Sequence, residues 1–500
     1  MLLIHPPLAK PSEPPPGLAR LAGALSAHQI RYSLLDANLE GILFRLKSPV
    51  TASDSWTVRA SRHVLEHLES LQNGRAFENL DRYKRAVNDL SRVLQKAAPH
   101  FMGSLTLANY EDRQMSPLRI EDLLRAAEES DKNPFYDYFS ERLDGLIREE
   151  APTLVGFSVN YLSQALCAMA MAGYIRKKDP SAKIIMGGGL ITSWLAANRS
   201  NPFAGLVDEL VAGPGEEALL SHFGKKADRR YPPDYEGFKN LPYLAPGFVL
   251  PYSASSGCYW SRCAFCPERA EGRPFQPIPP GQVLSDLKPL IRRTKAKLVH
   301  LTDNALSPSL LKYLAAHPLT VPWYGFVRIS RELTDPDFCR ALRHSGCVML
   351  KVGLESGDQA VLESMGKGIT LEEASQMLKN LKDAGIAAYV YLLFGTPAEN
   401  RERAGKTLDY VVVHQEEIDF LNLAIFNMPV HGPEAEVMET GDFYEGDLSL
   451  YRQFKHPLGW DRSLVRQFLD REFKRHPAVA AILRREPPYF TSNHAPFFMG

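Results

Sequence analysis

The chain has 500 residues, 45% of them hydrophobic, and its 58 Lys and Arg residues balance 58 Asp and Glu residues. At roughly 100–200 residues per domain, this length predicts about two to four domains. Zero net charge gives no broad positive field, so we expect a small-molecule or peptide substrate and no nucleic-acid partner. No segment approaches the ~18 uninterrupted apolar residues of a membrane span.

The first residues, MLLIHPP, lack a basic region and are interrupted by two prolines, so we interpret them as a strand and not as a signal peptide. Six cysteines are present, and three of them lie within residues 258–266. In a chain without a leader, such crowding favours a metal site over disulfides. We therefore expect a reducing, cytoplasmic location.

Residues 1–44 and 151–245 alternate strand and helix patterns and predict one interrupted domain, residues 1–245. The predicted strands are Leu2–Ile4, Tyr32–Leu35, Thr153–Val159, Lys183–Met186 and Leu206–Val211. This alternation predicts a Rossmann-like open parallel sheet, in which ligands bind beyond the carboxyl ends of the strands. Residues 45–150 lack strand patterning and have helical apolar spacing, which predicts a helical insertion.

Residues 246–430 restart the alternation and predict a partial (β/α)6 barrel. The predicted strands are Phe248–Ser253, Lys297–Leu301, Trp323–Ile329, Val348–Gly353, Ala388–Phe394 and Phe420–Phe426. Between them, Asp335-Pro336 is typical of a helix start, and Thr370 with Glu373 forms a capping box in a helix that Gly385 ends. Residues 431–500 are predicted to form a mostly helical C-terminal region. The fold class is therefore α/β.

The strongest chemical signal is the group Cys258, Cys263 and Cys266, on the loop after the first barrel strand. Barrels of this kind have their active sites at the carboxyl ends of the strands, where this loop lies. Three nearby thiolates can hold one iron–sulfur cubane, whereas a structural zinc site takes four protein ligands and no clean fourth lies nearby. A three-thiolate set leaves one metal position open for chemistry. The alternatives are a zinc site with a distant fourth ligand and buried cysteines without a metal.

This segment resembles the cluster motif of radical S-adenosylmethionine enzymes, and the resemblance covers residues 246–430. The spacing here is C-x4-C-x2-C, one residue longer in the first interval than the usual motif, with Phe265 in the place of the motif's aromatic residue. The resemblance implies that the three cysteines bind a catalytic 4Fe–4S cluster. It also implies that S-adenosylmethionine binds at the open iron.

The same resemblance implies cofactor-binding roles for residues at successive strand ends. Asp303 corresponds to a position near the methionine amino group, Glu355 to a position that contacts the ribose, and Gly395 and Pro397 to a turn beside the adenine. Arg328 ends the third strand and joins this set. Each residue alone also fits a structural role, such as a turn or an ion pair.

The sheet domain before the cysteine loop resembles the cobalamin-binding class of these enzymes. The matching positions imply that Asn160, Gly187, Gly188 and Gly215 approach a corrin. The chain lacks the Asp-x-His-x-x-Gly motif that supplies a cobalt ligand in other cobalamin proteins. The alternatives are a sheet that only shapes the substrate cavity and a dinucleotide site, which the absence of G-x-G-x-x-G disfavours.

Together these resemblances imply a cobalamin-dependent radical enzyme that transfers a methyl group to an unactivated carbon, with electrons from a flavodoxin- or ferredoxin-like donor. Radical rearrangement, cyclisation or oxidation is one alternative. A metal-stabilised binding protein without turnover is another. Of the other cysteines, Cys167, Cys339 and Cys347 are predicted to be buried packing residues. We expect His494 either to reach the site or to help anchor the C-terminus.

Overall fold

The computed structural model describes residues 1–51, 54–98, 101–197, 200–442, 446–489 and 494–499. The chain divides into two compact units. The first unit comprises residues 1–248, 444–450 and 488–490, and the second comprises 249–443, 451–487 and 491–500. Among the described residues, no helix has the length and apolar character needed to cross a membrane.

The first unit is built on a buried parallel sheet. Its strands are β1 (Leu2–His5), β2 (Ser33–Asp36), β3 (Gly103–Leu105), β4 (Tyr110–Asp112), β5 (Leu154–Ser158), β6 (Lys183–Gly187) and β7 (Glu209–Leu210). Its α-helices are α1 (Pro16–Ala27), α2 (Ala37–Lys47), α3 (Ser55–Arg62), α4 (Val64–Gln72), α5 (Leu80–Lys96), α6 (Ile120–Glu128), α7 (Tyr136–Glu150), α8 (Leu162–Lys178), α9 (Gly189–Ala197) and α10 (Glu216–Ser221).

The sheet order β2-β1-β5-β6-β7, with every neighbouring pair parallel, confirms the predicted Rossmann-like fold. Strands β1 and β5 are buried along their whole length, as expected for a parallel sheet covered on both faces. The insertion between β2 and β5 is mainly helical, but β3 and β4 form a hairpin that the sequence analysis did not predict. Three-residue strands are too short to show a period of two.

Helix α8 runs through the interior of this unit, and every residue from Gln164 to Ile175 is buried. It packs closely against α6 at Gly173, which has no side chain to hold the two helices apart. A Cβ built on Gly173 would lie only 2.1 Å from the carbonyl oxygen of Ala127. The two helices therefore depend on a glycine for their close approach.

The second unit contains the barrel and the C-terminal region. Its strands are β8 (Val249–Tyr252), β9 (Ser255–Ser256), β10 (Gln276–Pro277), β11 (Leu298–Leu301), β12 (Trp323–Val327), β13 (Cys347–Glu355), β14 (Ala387–Phe394), β15 (Phe420–Ile425), β16 (Met428–Pro429), β17 (Thr440–Asp442) and β18 (Tyr451–Phe454). Its α-helices are α11 (Pro267–Ala270), α12 (Pro280–Thr294), α13 (Pro308–Ala316), α14 (Pro336–His344), α15 (Gln359–Ser364), α16 (Leu371–Ala384), α17 (Arg401–Val413), α18 (Pro433–Val437), α19 (Arg462–Phe468) and α20 (Pro477–Leu483).

Strands β8, β11, β12, β13, β14 and β15 form one parallel sheet in chain order, which confirms the predicted six-stranded partial barrel. Its interior carries polar side chains: Lys351 Nζ lies 3.0 Å from His300 Nε2, and the His300 ring stacks on Tyr324. The C-terminal region is less helical than predicted, because β16, β18 and β17 form a separate antiparallel sheet.

Cys167, Cys339 and Cys347 are all fully buried, as predicted. His494 is fully buried as well, and its ring contacts those of Tyr389 and Phe420 near the beginning of β14 and β15. Its Nε2 lies 2.7 Å from the Glu486 carboxylate. His494 therefore anchors the C-terminal end, while the adjoining Asn493 lies outside the described residues.

We predict that Gly173→Ala lowers the free energy of unfolding of the first unit by about 1–3 kcal/mol, because the added methyl group overpacks the α6–α8 contact. Gly145→Ala is the matched control, since a Cβ at Gly145 in α7 meets no atom within 4 Å. The control should raise stability by about 0.5–1 kcal/mol. Urea unfolding of both variants measures these free energies. Equal changes in the two variants would contradict the prediction.

Candidate functional site

The loop that carries the three cysteines begins directly after β8, at the carboxyl end of the barrel sheet. The antiparallel pair β9–β10 joins the two ends of the loop, with Ser256 opposite Gln276. Gly257 has φ of +70°, and a Cβ there would lie 2.5 Å from the carbonyl oxygen of Pro274. Only glycine fits such a position. The cysteines thus lie on one closed loop.

All three cysteine thiols are free and partly exposed. Burial raises the pKa of Cys263 and of Cys266. For Cys263, the positive charges of Lys367 and Arg328 act in the opposite direction and lower its pKa. The negative charges of neighbouring cysteines raise the pKa of both thiols.

Among the described residues, no group of three or more His, Cys, Asp or Glu side chains is arranged as a finished metal site. Cluster ligation by Cys258, Cys263 and Cys266 therefore stays a prediction. The three cysteines nevertheless fit an iron–sulfur cubane, since three free thiols share one loop and the positively charged side chains of Lys367 and Arg328 lie near Cys263. These cations would offset the negative charge of thiolate ligands.

A second loop, residues 365–370 between α15 and α16, packs against the cysteine loop. Ala264 N–H donates to the Met365 carbonyl oxygen at 2.9 Å, and the Trp260 indole Nε1–H donates to the Gly366 carbonyl oxygen at 2.9 Å. Gly368 has φ of +63°, and a Cβ there would lie 2.2 Å from Trp260 Cζ2. Trp260 belongs to the longer first interval of the cysteine motif. The added length thus accommodates a side chain that docks on this glycine loop.

Arg328 follows β12 and is buried beside Trp260. Its guanidinium carbon lies 3.9 Å from the centroid of the Trp260 ring, and its Nη2–H donates to the carbonyl oxygen of Lys367. Lys367 Nζ in turn lies 2.7 Å from Glu355 Oε1 and 5.5 Å from the centroid of the Phe265 ring. The structure therefore brings together three predicted residues, Arg328, Glu355 and Phe265.

Lys367 connects this group, and the sequence analysis missed it. A lysine between two glycines in a loop after the fourth barrel strand was the available signal. The Glu355 and Lys367 side chains are only 11% and 5% exposed. Removal of one partner from such a buried ion pair typically costs about 3–5 kcal/mol, because the other charge is left uncompensated.

Glu355 ends β13 in a strained conformation, with φ of +73°. The register between β13 and β14 shifts between Gly353 and Glu355. Such a bulge redirects a side chain at the end of a strand. A non-glycine residue in this region costs about 1–3 kcal/mol and persists only where surrounding contacts hold it, here the ion pair with Lys367.

Asp303 is buried and braces the beginning of the cysteine loop. Its Oδ2 accepts the Ala254 N–H at 2.9 Å, and its Oδ1 accepts the hydroxyl of Ser255. Burial raises the pKa of this carboxyl, and these hydrogen bonds oppose the rise. Its implied place near a methionine amino group remains a prediction.

Gly395 and Pro397 form a turn after β14, and Gly395 has φ of +79°. The Gly395 N–H donates to Glu399 Oε2 at 2.5 Å. His456 Nε2–H donates to the Thr396 carbonyl oxygen at 2.9 Å. The turn is therefore held by Glu399 and His456, neither of which the sequence analysis identified.

In the first unit, three of the four predicted positions lie together at the strand ends. The Asn160 Oδ1 accepts the Gly189 N–H at 3.0 Å, and its Nδ2–H donates to Ser158 Oγ at 3.2 Å. A Cβ at Gly188 would lie 2.4 Å from the Val159 carbonyl oxygen, whereas a Cβ at Gly187 would meet only ordinary contacts at 3.5 Å or more. Gly215 lies apart from them, at the beginning of α10 near Leu21.

Residues 252–411 match the Radical SAM superfamily. Among curated proteins, the chain is 24% identical over 264 residues to the bacteriochlorophyllide d C-12(1)-methyltransferase of Chlorobaculum tepidum, covering 48% of this chain and 57% of that one. It is 23% identical over 230 residues to the anaerobic magnesium-protoporphyrin IX monomethyl ester cyclase of Rubrivivax gelatinosus, covering 40% of each. The matched part thus spans about half the length of these relatives.

Two solved structures share the fold. The radical S-adenosylmethionine methyltransferase TsrM from Kitasatospora setae, with tryptophan substrate and an S-adenosylmethionine analogue bound, superposes with a TM-score of 0.56 at 15% identity, covering 97% of this chain and 89% of that one. The cobalamin-dependent S-adenosylmethionine radical enzyme OxsB, with aqua-cobalamin bound, gives a TM-score of 0.51 at 14% identity and covers 64% and 57%. At these identities the likeness shows the fold alone.

We predict that Gly368→Ala displaces Trp260 and lowers the iron retained after anaerobic reconstitution, because changes in the outer shell of a metal site weaken binding by about 10–100-fold. Gly272→Ala is the matched control. Gly272 also lies in the left-handed region, with φ of +66°, but a Cβ there meets no atom within 4 Å. Equal iron content in the two variants would show that the Trp260 contact does not support the cluster.

Proposed function

We propose that this chain, whose second unit carries a domain of the radical S-adenosylmethionine superfamily, is a cobalamin-dependent radical enzyme that transfers a methyl group to an unactivated carbon. The observation that carries the proposal is the closed loop of three free thiols at the carboxyl end of a six-stranded parallel barrel sheet. Superfamily membership implies a 4Fe–4S cluster and S-adenosylmethionine as cofactors.

The residues around the loop have defined parts in this chemistry. Cys258, Cys263 and Cys266 would bind three irons and leave the fourth for the methionine end of S-adenosylmethionine. When bound, the reduced cluster supplies one electron that breaks a carbon–sulfur bond and yields a 5′-deoxyadenosyl radical. Arg328 and Lys367 offset the negative charge of the thiolates. The contact between Trp260 and the glycine loop holds the first interval of the cysteine motif in place.

Cobalamin binding is supported by the fold of the first unit and by the named cofactor of OxsB, whose fold this chain shares. Asn160, Gly187 and Gly188 lie at the carboxyl ends of β5 and β6, which is where open parallel sheets bind their ligands. When bound, cobalamin supplies a carrier for the methyl group. The names of the Chlorobaculum and Kitasatospora proteins support methyl transfer as the reaction.

The barrel interior supports a small-molecule or peptide substrate. The side chains at the beginnings of β14 and β15 are buried. Towards the carboxyl ends of these strands, four side chains are only partly buried: Tyr391, Leu393, Asn422 and Ala424. A substrate in this opening would lie on the same face as the cysteine loop. The reaction would also need a reducing donor, such as a flavodoxin- or ferredoxin-like protein, and a cytoplasmic setting.

A second candidate is a radical rearrangement, cyclisation or oxidation without methyl transfer. The Rubrivivax relative, which is named a cyclase, favours it. Both candidates require cleavage of S-adenosylmethionine, whereas only the first requires cobalamin.

We predict that Cys263→Ala abolishes the anaerobic formation of 5′-deoxyadenosine from S-adenosylmethionine in the presence of dithionite, because one of the three cluster ligands is lost. Cys167→Ala is the control, since Cys167 is a fully buried packing residue in α8 of the first unit. The control should retain cleavage activity. Full activity in Cys263→Ala with iron still bound would refute the proposed function.

We predict that Gly187→Ala lowers the cobalt retained after reconstitution with hydroxocobalamin but leaves iron unchanged. The fold has room for a Cβ at this position, so the added methyl group should leave the fold intact and obstruct a ligand at the strand ends. Wild-type protein should retain about one cobalt and about four irons per chain. Wild-type protein that retains iron but no cobalt would favour the candidate without methyl transfer.

A further inference from the structure

Glu399 is a fully buried carboxyl group that the proposed chemistry does not use. It lies at the end of the turn that follows β14. Its Oε2 accepts two hydrogen bonds, from the Gly395 N–H at 2.5 Å and from the Trp460 indole Nε1–H at 3.0 Å. Its Oε1 is buried and has no hydrogen-bond partner among the described residues. One oxygen therefore holds the turn, while the other is unsatisfied.

The same turn is held from the C-terminal region at two further points. His456 Nε2–H donates to the Thr396 carbonyl oxygen, and a Cβ at Gly395 would lie 3.1 Å from Val465 Cγ2 in α19. The Glu399 N–H also donates to the Thr396 carbonyl oxygen at 2.8 Å. Glu399 is thus the internal support of the turn, and Trp460 links it to the segment that covers it.

We propose that Glu399 is a positioning residue for the nucleotide end of S-adenosylmethionine, acting through the Gly395 N–H to hold residues 395–397 in the binding conformation. This inference rests on the proposed function and on the resemblance described above, which implies that residues 395–397 lie beside the adenine. Glu399 does not touch the nucleotide itself. Its effect is to keep the backbone of the turn and the C-terminal segment in one arrangement.

The protonation state of Glu399 determines how firmly it holds residues 395–397 in the binding conformation. Burial raises the pKa of Glu399 to about 7, with a smaller rise from the negative charge of Asp358, while the hydrogen bonds from Gly395 and Trp460 lower it. As a neutral acid, the group satisfies the turn at modest cost. As a carboxylate, it leaves a charged oxygen buried without a partner, which favours conformations in which the turn opens to water.

The other titratable groups near Glu399 do not account for a change in protonation near pH 7. Burial lowers the pKa of His456, and its Nδ1 accepts the Trp460 backbone N–H. Asp358 is paired with Lys406 at 3.1 Å and with Arg403. Other charged side chains on the surrounding elements include Arg401, Glu402, Asp409, Asp461, Arg462, Arg466 and Glu472.

The test measures the dissociation constant of S-adenosylmethionine for the reconstituted wild-type protein and for Glu399→Gln across pH 6 to pH 8. The glutamine keeps a carbonyl acceptor for Gly395 and Trp460 but cannot lose a proton. The ratio of the wild-type constant to that of the variant cancels the titration of the ligand. We expect this ratio to rise by roughly threefold to tenfold over the interval, because wild-type affinity falls as the carboxyl ionises.

The matched control is Glu402→Gln, which changes an exposed glutamate in the first turn of α17. The ratio of the wild-type dissociation constant to that of Glu402→Gln should stay constant with pH. Trp460→Phe removes one hydrogen bond to the carboxylate and should therefore move the wild-type transition to higher pH. This variant keeps the proposal testable if Glu399→Gln does not fold.

Thermal unfolding gives a second readout. The folded state holds a proton on Glu399 between about pH 4.5 and about pH 7, where the unfolded chain has lost it, so wild-type stability should fall through this window relative to Glu399→Gln. A constant ratio of dissociation constants would overturn the positioning role while leaving the proposed function intact. Absence of binding by the wild-type protein at every pH would contradict the proposed function and, with it, this inference.

Discussion

The contact between the cysteine loop and the glycine loop at residues 365–370 is the interaction on which the site depends. Trp260 fills the space left by Gly368, stacks under Arg328 and donates to the Gly366 carbonyl oxygen. That docking places Lys367 between Phe265 and Glu355, and the ion pair holds Glu355 in its left-handed conformation. The cysteine loop therefore takes its support from the neighbouring loop as well as from its own sequence.

This arrangement explains how the chain uses a longer first interval in its cysteine motif. The interval from Cys258 to Cys263 contains Trp260 and Arg262, whose backbone carbonyl lies 2.8 Å from where a Cβ on Gly366 would be. Glycines at positions 366 and 368 make room for both. The longer interval and the glycine loop are thus matched to each other.

Much of the fold could be predicted from the sequence because its signals are local. Asp335 caps α14, Thr370 and Glu373 form their capping box, and Gly385 ends α16 in the left-handed conformation. Six strand patterns identified the barrel. Lys367, Glu399 and Trp460 could not be found this way, because their roles come from contacts between segments far apart in sequence. The β3–β4 hairpin and the C-terminal sheet were missed because their strands are only two to four residues long.

We propose that three thiolates hold a cluster with one iron open to S-adenosylmethionine. Electron paramagnetic resonance of the anaerobically reconstituted, dithionite-reduced protein, recorded with and without S-adenosylmethionine, is the decisive experiment. We predict a reduced 4Fe–4S signal whose g-values shift when S-adenosylmethionine is added. A 4Fe–4S signal that S-adenosylmethionine leaves unchanged, or protein that retains zinc and no cluster, would contradict it.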